Sequence, residues 1–130
     1  MAKVPTRDKV KEADTWDLSS LFPSDEAWEK AFKKWERQIG KYADFRGTLA
    51  EGPSALAKCL KFDSKFDREG ERLGYYAMLR TTEDQADGAA QTMMGRLQNA
   101  ATRAAELASY IRPEILAMSG AKLKKLIGAK

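Results

Sequence analysis

The sequence predicts an all-α fold: an antiparallel bundle of three long helices plus short C-terminal helices, preceded by a docked, extended N-terminal arm. Three observations carry this. Large apolar side chains recur at steps of four and three, the period of a helix that buries one face. Helix-starting and helix-ending residues sit between the periodic segments, at Ser24, Gly52-Pro53, Asp87 and Ser119-Gly120. No stretch alternates in the manner of a strand, and there is no repeat or low-complexity tract. At 130 residues the chain suits a single domain that is long enough to bury a core.

The arm comes first. In Thr15-Trp16-Asp17-Leu18-Ser19-Ser20-Leu21-Phe22-Pro23, the polar groups of Asp17 and Ser19 can bond nearby backbone amides. Trp16, Leu18, Leu21 and Phe22 supply apolar surface that a solvated linker would not carry. The arm is expected to dock through Trp16, so that Trp16→Ala costs about 2–4 kcal/mol. Ser24 suits a helix N-cap, followed by Asp25 and Glu26, whose charges favour the first turn.

The first helix is predicted over 25–45. Trp28, Phe32, Trp35, Ile39 and Tyr42 form its core stripe, with Lys30, Lys33, Lys34, Glu36 and Arg37 opposite. Gly47 and Glu51-Gly52-Pro53 end it, with Pro53 placed at the first position of the next helix. That helix should run over 53–80 with Leu56, Cys59, Leu60, Phe66, Leu73, Tyr76 and Leu79 inward. Gly70 and Gly74 weaken it or admit a close neighbour. Residues 81–87 read as a polar connection with Asp87 as N-cap. The third helix, over 88–111, is rich in alanine around Met93, Met94, Leu97 and Leu107, leaving room for the aromatics of the other two. Arg112-Pro113 breaks it, a short helix follows to Met118, and 121–127 form a further amphipathic turn or two.

Residues 1–14 are read as a flexible basic segment, 15–120 as the helical lobe and 121–130 as a basic amphipathic tail. The net charge of +4 is carried at the ends, +2 over 1–12 and +4 over 121–130, which leaves −2 between them. Specific nucleic-acid binding by the folded body is therefore not expected, since it needs basic residues on one face. The single cysteine, Cys59, excludes an internal disulfide and is expected to be a small buried hydrophobe. No apolar stretch approaches the roughly 20 residues of a membrane span, and the polar N-terminus does not resemble a signal peptide. A cytoplasmic protein without membrane contact is expected.

The segment from Thr15 to Glu29, TWDLSSLFPSDEAWE, resembles the start of the oligoendopeptidase F family, zinc metallopeptidases of the thimet-oligopeptidase superfamily. Two further segments support this in the right order: Tyr76-Ala77-Met78-Leu79 followed by Glu83-Asp84, and Pro113-Glu114-Ile115-Leu116. The resemblance implies that the chain is the N-terminal helical region of such an enzyme. It also implies a role in shaping the channel that admits short peptides, with a C-terminal catalytic lobe as partner and oligopeptide as substrate of the parent.

The family's chemistry rests on His-Glu-x-x-His, two imidazoles one helical turn apart that hold Zn²⁺ with the glutamate as general base. This chain contains no histidine, and its one cysteine cannot replace the ligands. The carboxylate pairs Asp63/Asp67 and Glu69/Glu71 lack the turn and oxygen density of a calcium loop and are read as solvated helix surface. No glycine-rich phosphate loop is present. The chain by itself is expected to have no catalytic residue and no cofactor, with zinc belonging to the parent. Tyr75, Tyr76, Arg80 and Tyr110, each with a polar tip on an apolar body, are the candidates for a substrate- or lobe-facing surface; boundary positions of the core are the other use for such side chains.

A free-standing helical protein–protein interaction module is the alternative. The two readings differ in surface. A lobe should expose a contiguous apolar patch, around Phe62, Tyr75 and Tyr76, where its partner packed, and should self-associate through it. A self-sufficient module should bury all three.

Overall fold

In the computed structural model, which describes residues 3–129, five α-helices follow one another without a strand among the described residues. They are α1 (Asp25–Glu36), α2 (Pro53–Glu83), α3 (Gly88–Ala108), α4 (Ile111–Leu116) and α5 (Gly120–Gly128). Met1, Ala2 and Lys130, the outer ends of the two predicted basic segments, lie outside the described residues. None of the helices is long and apolar enough to cross a membrane.

Each start has a chemical cause. Ser24 Oγ accepts the Ala27 amide at 3.2 Å to open α1, Pro53 occupies the first turn of α2, and Asp87 Oδ1 accepts the amides of Ala89 and Ala90 to open α3. Ser119 Oγ does the same for α5 through Lys122. These contacts satisfy amides that the helix itself leaves unpaired.

The first helix is shorter than its stripe. α1 ends at Glu36, and the chain continues as a 3-10 helix over Ile39–Phe45. Trp28, Phe32 and Trp35 follow α-helical steps, whereas Ile39, Tyr42 and Phe45 recur every third residue. A 3-10 helix has three residues per turn, so it keeps those three side chains on one side where an α-helix would rotate them away. Gly47, at φ 79°, then turns the chain in a conformation that favours glycine.

The main core joins α1, the 3-10 segment, α2 and α3. Trp28, Phe32, Trp35, Ile39 and Tyr42 are all buried, against Phe66, Leu73 and Tyr76 of α2 and Met93, Leu97, Ala100 and Ala104 of α3. Trp28 and Trp35 each donate an indole N–H to an α2 carbonyl, of Leu73 and Phe66 respectively, both at 2.9 Å. The alanines of α3 leave the space those rings occupy. Gly70 admits Trp35: a Cβ there would lie 3.0 Å from the indole. A second cluster of Leu49, Leu56, Cys59 and Tyr110 packs α4 and α5 onto the start of α2 through Ile111, Ile115 and Leu126.

Several expectations need correction. Trp16 is 58% exposed. The arm docks through Leu18, Leu21 and Phe22 instead, because Asp17 turns the chain by accepting the Ser19 amide at 3.0 Å. Phe22 meets the Tyr76 ring in a T-shaped pair at 5.5 Å, and the Arg72 guanidinium lies over the Phe22 ring at 4.7 Å. Trp16→Ala is now expected to change stability by less than about 1 kcal/mol, the range of surface substitutions; a urea midpoint close to wild type is the result to look for. Leu60, placed inward from the sequence, is 40% exposed because it lies beyond the stripe set by Leu56, Cys59 and Phe66. α2 runs three residues beyond Arg80, and α3 stops three residues before Ile111. Pro113 sits in the first turn of α4, where its missing N–H leaves nothing unpaired.

Candidate functional site

The four residues singled out from the sequence do not form one surface. Tyr76 and Arg80 come together, one helical turn apart on α2, around the N-terminus of α1. Tyr76 Oη donates to Asp25 Oδ1 at 2.7 Å. The Arg80 guanidinium grips the same carboxylate with two bonds, Nε to Oδ1 at 3.0 Å and Nη2 to Oδ2 at 2.9 Å. Its remaining donors reach Glu83 at 3.0 Å and Asp87 at 3.2 Å, and Arg7 caps Glu83 from the N-terminal segment at 3.0 Å. The guanidinium holds the Asp25 carboxyl below its ordinary range, while burial and that carboxylate push the Tyr76 phenol up. Both side chains are thus occupied in tying the ends of α1, α2 and α3 together. Tyr76 itself is buried.

Tyr110 is also buried, in the second cluster, where its hydroxyl donates to the Tyr42 carbonyl. Cys59 lies beside it, and burial raises the thiol's pKa, so Cys59 stays a neutral apolar neighbour. Tyr75 alone is open, 56% exposed, with Met78 one turn further along α2. Of the three residues expected to mark an apolar patch, Phe62 is half-buried, Tyr76 is buried and Tyr75 is exposed.

What the sequence reading passed over is a trough between α2 and α3. A hollow of about 400 Å³ has Trp35, Phe66 and Leu97 in its floor, Ala101, Ala105 and Ala108 on the α3 side, and Asp63, Asp67 and Glu71 on the α2 side. It runs on past Asp63 and Ala108 to a second hollow beside Ile115 and Leu116, the latter 73% exposed. The two carboxylate pairs of the sequence reading divide differently in space. Glu69 belongs elsewhere, bound by Gln38 Nε2 at 3.1 Å and Lys65 at 3.8 Å. Asp63, Asp67 and Glu71, each four residues apart, share the trough's wall. Burial, then Asp63 and Glu71, raise the Asp67 carboxyl above its ordinary value. The spacing of four was the available signal; pairing Glu71 with Glu69, two residues away and on another face, obscured it. Among the described residues no group of His, Cys, Asp or Glu side chains is disposed to hold a metal ion.

The chain resembles known peptidases along nearly its whole length. It is 34% identical over 125 residues to oligopeptidase PepF of Bacillus subtilis, an alignment covering 96% of this chain and 19% of that protein. Group B oligopeptidase PepB of Streptococcus agalactiae is 24% identical over 113 residues, covering 87% and 19%. The chromosomal oligoendopeptidase F of Lactococcus lactis is 24% identical over 114 residues, with the same coverage. The chain therefore spans about a fifth of the length of the curated relatives it matches. No family model matches it, and no solved structure does.

Proposed function

From a chain homologous almost throughout to the oligoendopeptidase F peptidases, we propose that it acts as the non-catalytic N-terminal helical lobe of a zinc-dependent oligopeptidase, forming part of the wall that admits short peptides. One observation carries the reading: nearly all of this chain aligns with only a fifth of a peptidase, and the aligned part has no histidine with which to do the chemistry. The residues present do not fit a zinc site, so the metal and the hydrolytic step are assigned to the remaining four-fifths of the parent.

The fold supports a wall. A lobe that restricts entry has to hold its shape, and here three helix ends and the N-terminal segment are tied through Asp25, Arg80, Glu83 and Arg7. Large rings with satisfied N–H groups fill the core behind them.

A transplant tests this. The matching segment of the Bacillus subtilis PepF is replaced by this chain, and cleavage of a quenched fluorogenic oligopeptide is followed with and without chelator. Chelator-sensitive turnover by the chimera is expected, with none from this chain alone or from PepF deprived of the segment. A chimera that folds and yet is inactive, or turnover by this chain alone, would overturn the assignment.

A further inference from the structure

The trough between α2 and α3 carries three carboxylates in a row on one wall, beside an apolar floor. Between helices, Glu29 and Glu36 of α1 pair with Arg96 and Arg103 of α3, and Asp25 of α1 pairs with Arg80 of α2. Asp63, Asp67 and Glu71 have no such partner among the described residues; Asp63 accepts only the Tyr42 hydroxyl, at 2.7 Å. Three carboxylates thus stand about 6 Å apart along the helix axis, four residues at about 1.5 Å each. Opposite them Ala101 and Ala105 are exposed and small, so a backbone can come close to α3. The floor between the two walls is apolar.

We propose that this trough is the seat of a cationic amphipathic helix contributed by the rest of the peptidase polypeptide, its small apolar stripe on α3 and its Lys or Arg residues, one per turn, against Asp63, Asp67 and Glu71. Charge complementarity selects the occupant. An apolar helix would leave three carboxylates facing a dry contact, and an acidic one would be repelled. The supply of chain is ample, since the relatives carry four-fifths of their length outside the region matched here. The inference rests on the proposed parentage and names the surface by which this lobe meets it.

The test needs neither PepF nor catalysis, so it can fail while the transplant succeeds, and the reverse. The probe is a synthetic peptide of about 15 residues, near the shortest length at which an isolated helix persists, with lysine at every fourth position beside an alanine–leucine stripe. Its counterpart carries glutamate instead. Calorimetry is expected to show saturable binding of the lysine peptide, weakened by salt, and none of the glutamate peptide. The Trp35 indole N–H resonance should shift while that of Trp28 stays put. Asp67→Lys with Glu71→Lys alters two exposed side chains, so the fold should persist, reported by the unmoved Trp28 signal; binding should fall by about tenfold or more. Equal binding of the two peptides, or binding indifferent to the reversal, would overturn the proposal. So would a chain that sediments as a dimer and becomes monomeric on reversal, since a second copy would then be the occupant.

Discussion

Trp28→Ala is expected to cost about 3–5 kcal/mol, the range for deleting a large aromatic from a packed core, and so to remove a large share of the stability of an ordinary domain. Trp28 has no exposed surface. Its ring stacks on Phe32 at 5.0 Å with the planes 3° apart, and its indole N–H donates to the Leu73 carbonyl. Alanine would remove the filler between α1 and α2 and that hydrogen bond together. Chemical denaturation followed by circular dichroism should show a midpoint far below wild type, or a chain already unfolded in buffer. Trp28→Phe separates the two contributions: it keeps much of the ring and loses the N–H, for a cost of about 1–2 kcal/mol. Should Trp28→Ala and Trp16→Ala behave alike, the packing described for α1 would be wrong.

The contrast between those two tryptophans shows what was legible in the sequence. Trp28 belongs to a periodic set, and a helix with that set has one way to bury it. Trp16 stands in an aperiodic arm, where the direction of each side chain depends on local turn chemistry rather than on period. Asp17 and Ser19 were recognised as turn-makers, but the turn they form faces Leu18, Leu21 and Phe22 inward and leaves Trp16 outside. The 3-10 segment makes the same point. A spacing of three at Ile39, Tyr42 and Phe45 was visible, yet steps of three and four blend in an α-helical count unless a run of threes is taken seriously.

Candidate residues were less legible than helices. Tyr75, Tyr76, Arg80 and Tyr110 share a polar tip on an apolar body, a chemistry that carries no information about depth. Depth divides them: Tyr76 and Tyr110 are in the core, Arg80 is engaged with three carboxylates, and Tyr75 is free. Glu83 lies one turn along the helix of Arg80, but Asp25 of α1 is brought to the guanidinium by the fold, and Asp87, the N-cap of α3, by the turn after α2. The trough is the converse case. One wall, Asp63-x-x-x-Asp67-x-x-x-Glu71, lies on a single helix and was readable; the alanine wall and the Trp35 floor come from elsewhere.

Arg80→Met is expected to destabilise the chain by about 2–3 kcal/mol at neutral pH. Removing one member of a well-buried charge pair typically costs more, but Asp25 is 39% exposed and water recovers part of the loss. Methionine keeps much of the aliphatic stem and leaves Asp25, Asp87 and the partly buried Glu83 facing one another, with Arg7 as the remaining basic partner among the described residues. Arg80→Lys should recover only part of the loss, because one ammonium cannot hold Asp25 with two bonds while reaching Glu83. The pH dependence identifies the cause. In the wild type Asp25 titrates below its unfolded value, held down first by the Arg80 hydrogen bonds. A carboxylate of that kind contributes stability that is fully present above the unfolded value, about pH 4, and is lost as pH falls through the folded one. The gap between Arg80→Met and wild type should therefore be widest at neutral pH and close progressively below about pH 4, as Asp25 takes up its proton in both. Urea midpoints measured at a series of pH values read this directly. A gap that stayed constant through the acid range would assign the loss to packing of the Arg80 stem, and the Asp25 clamp would lose its place as the tie between α1 and α2.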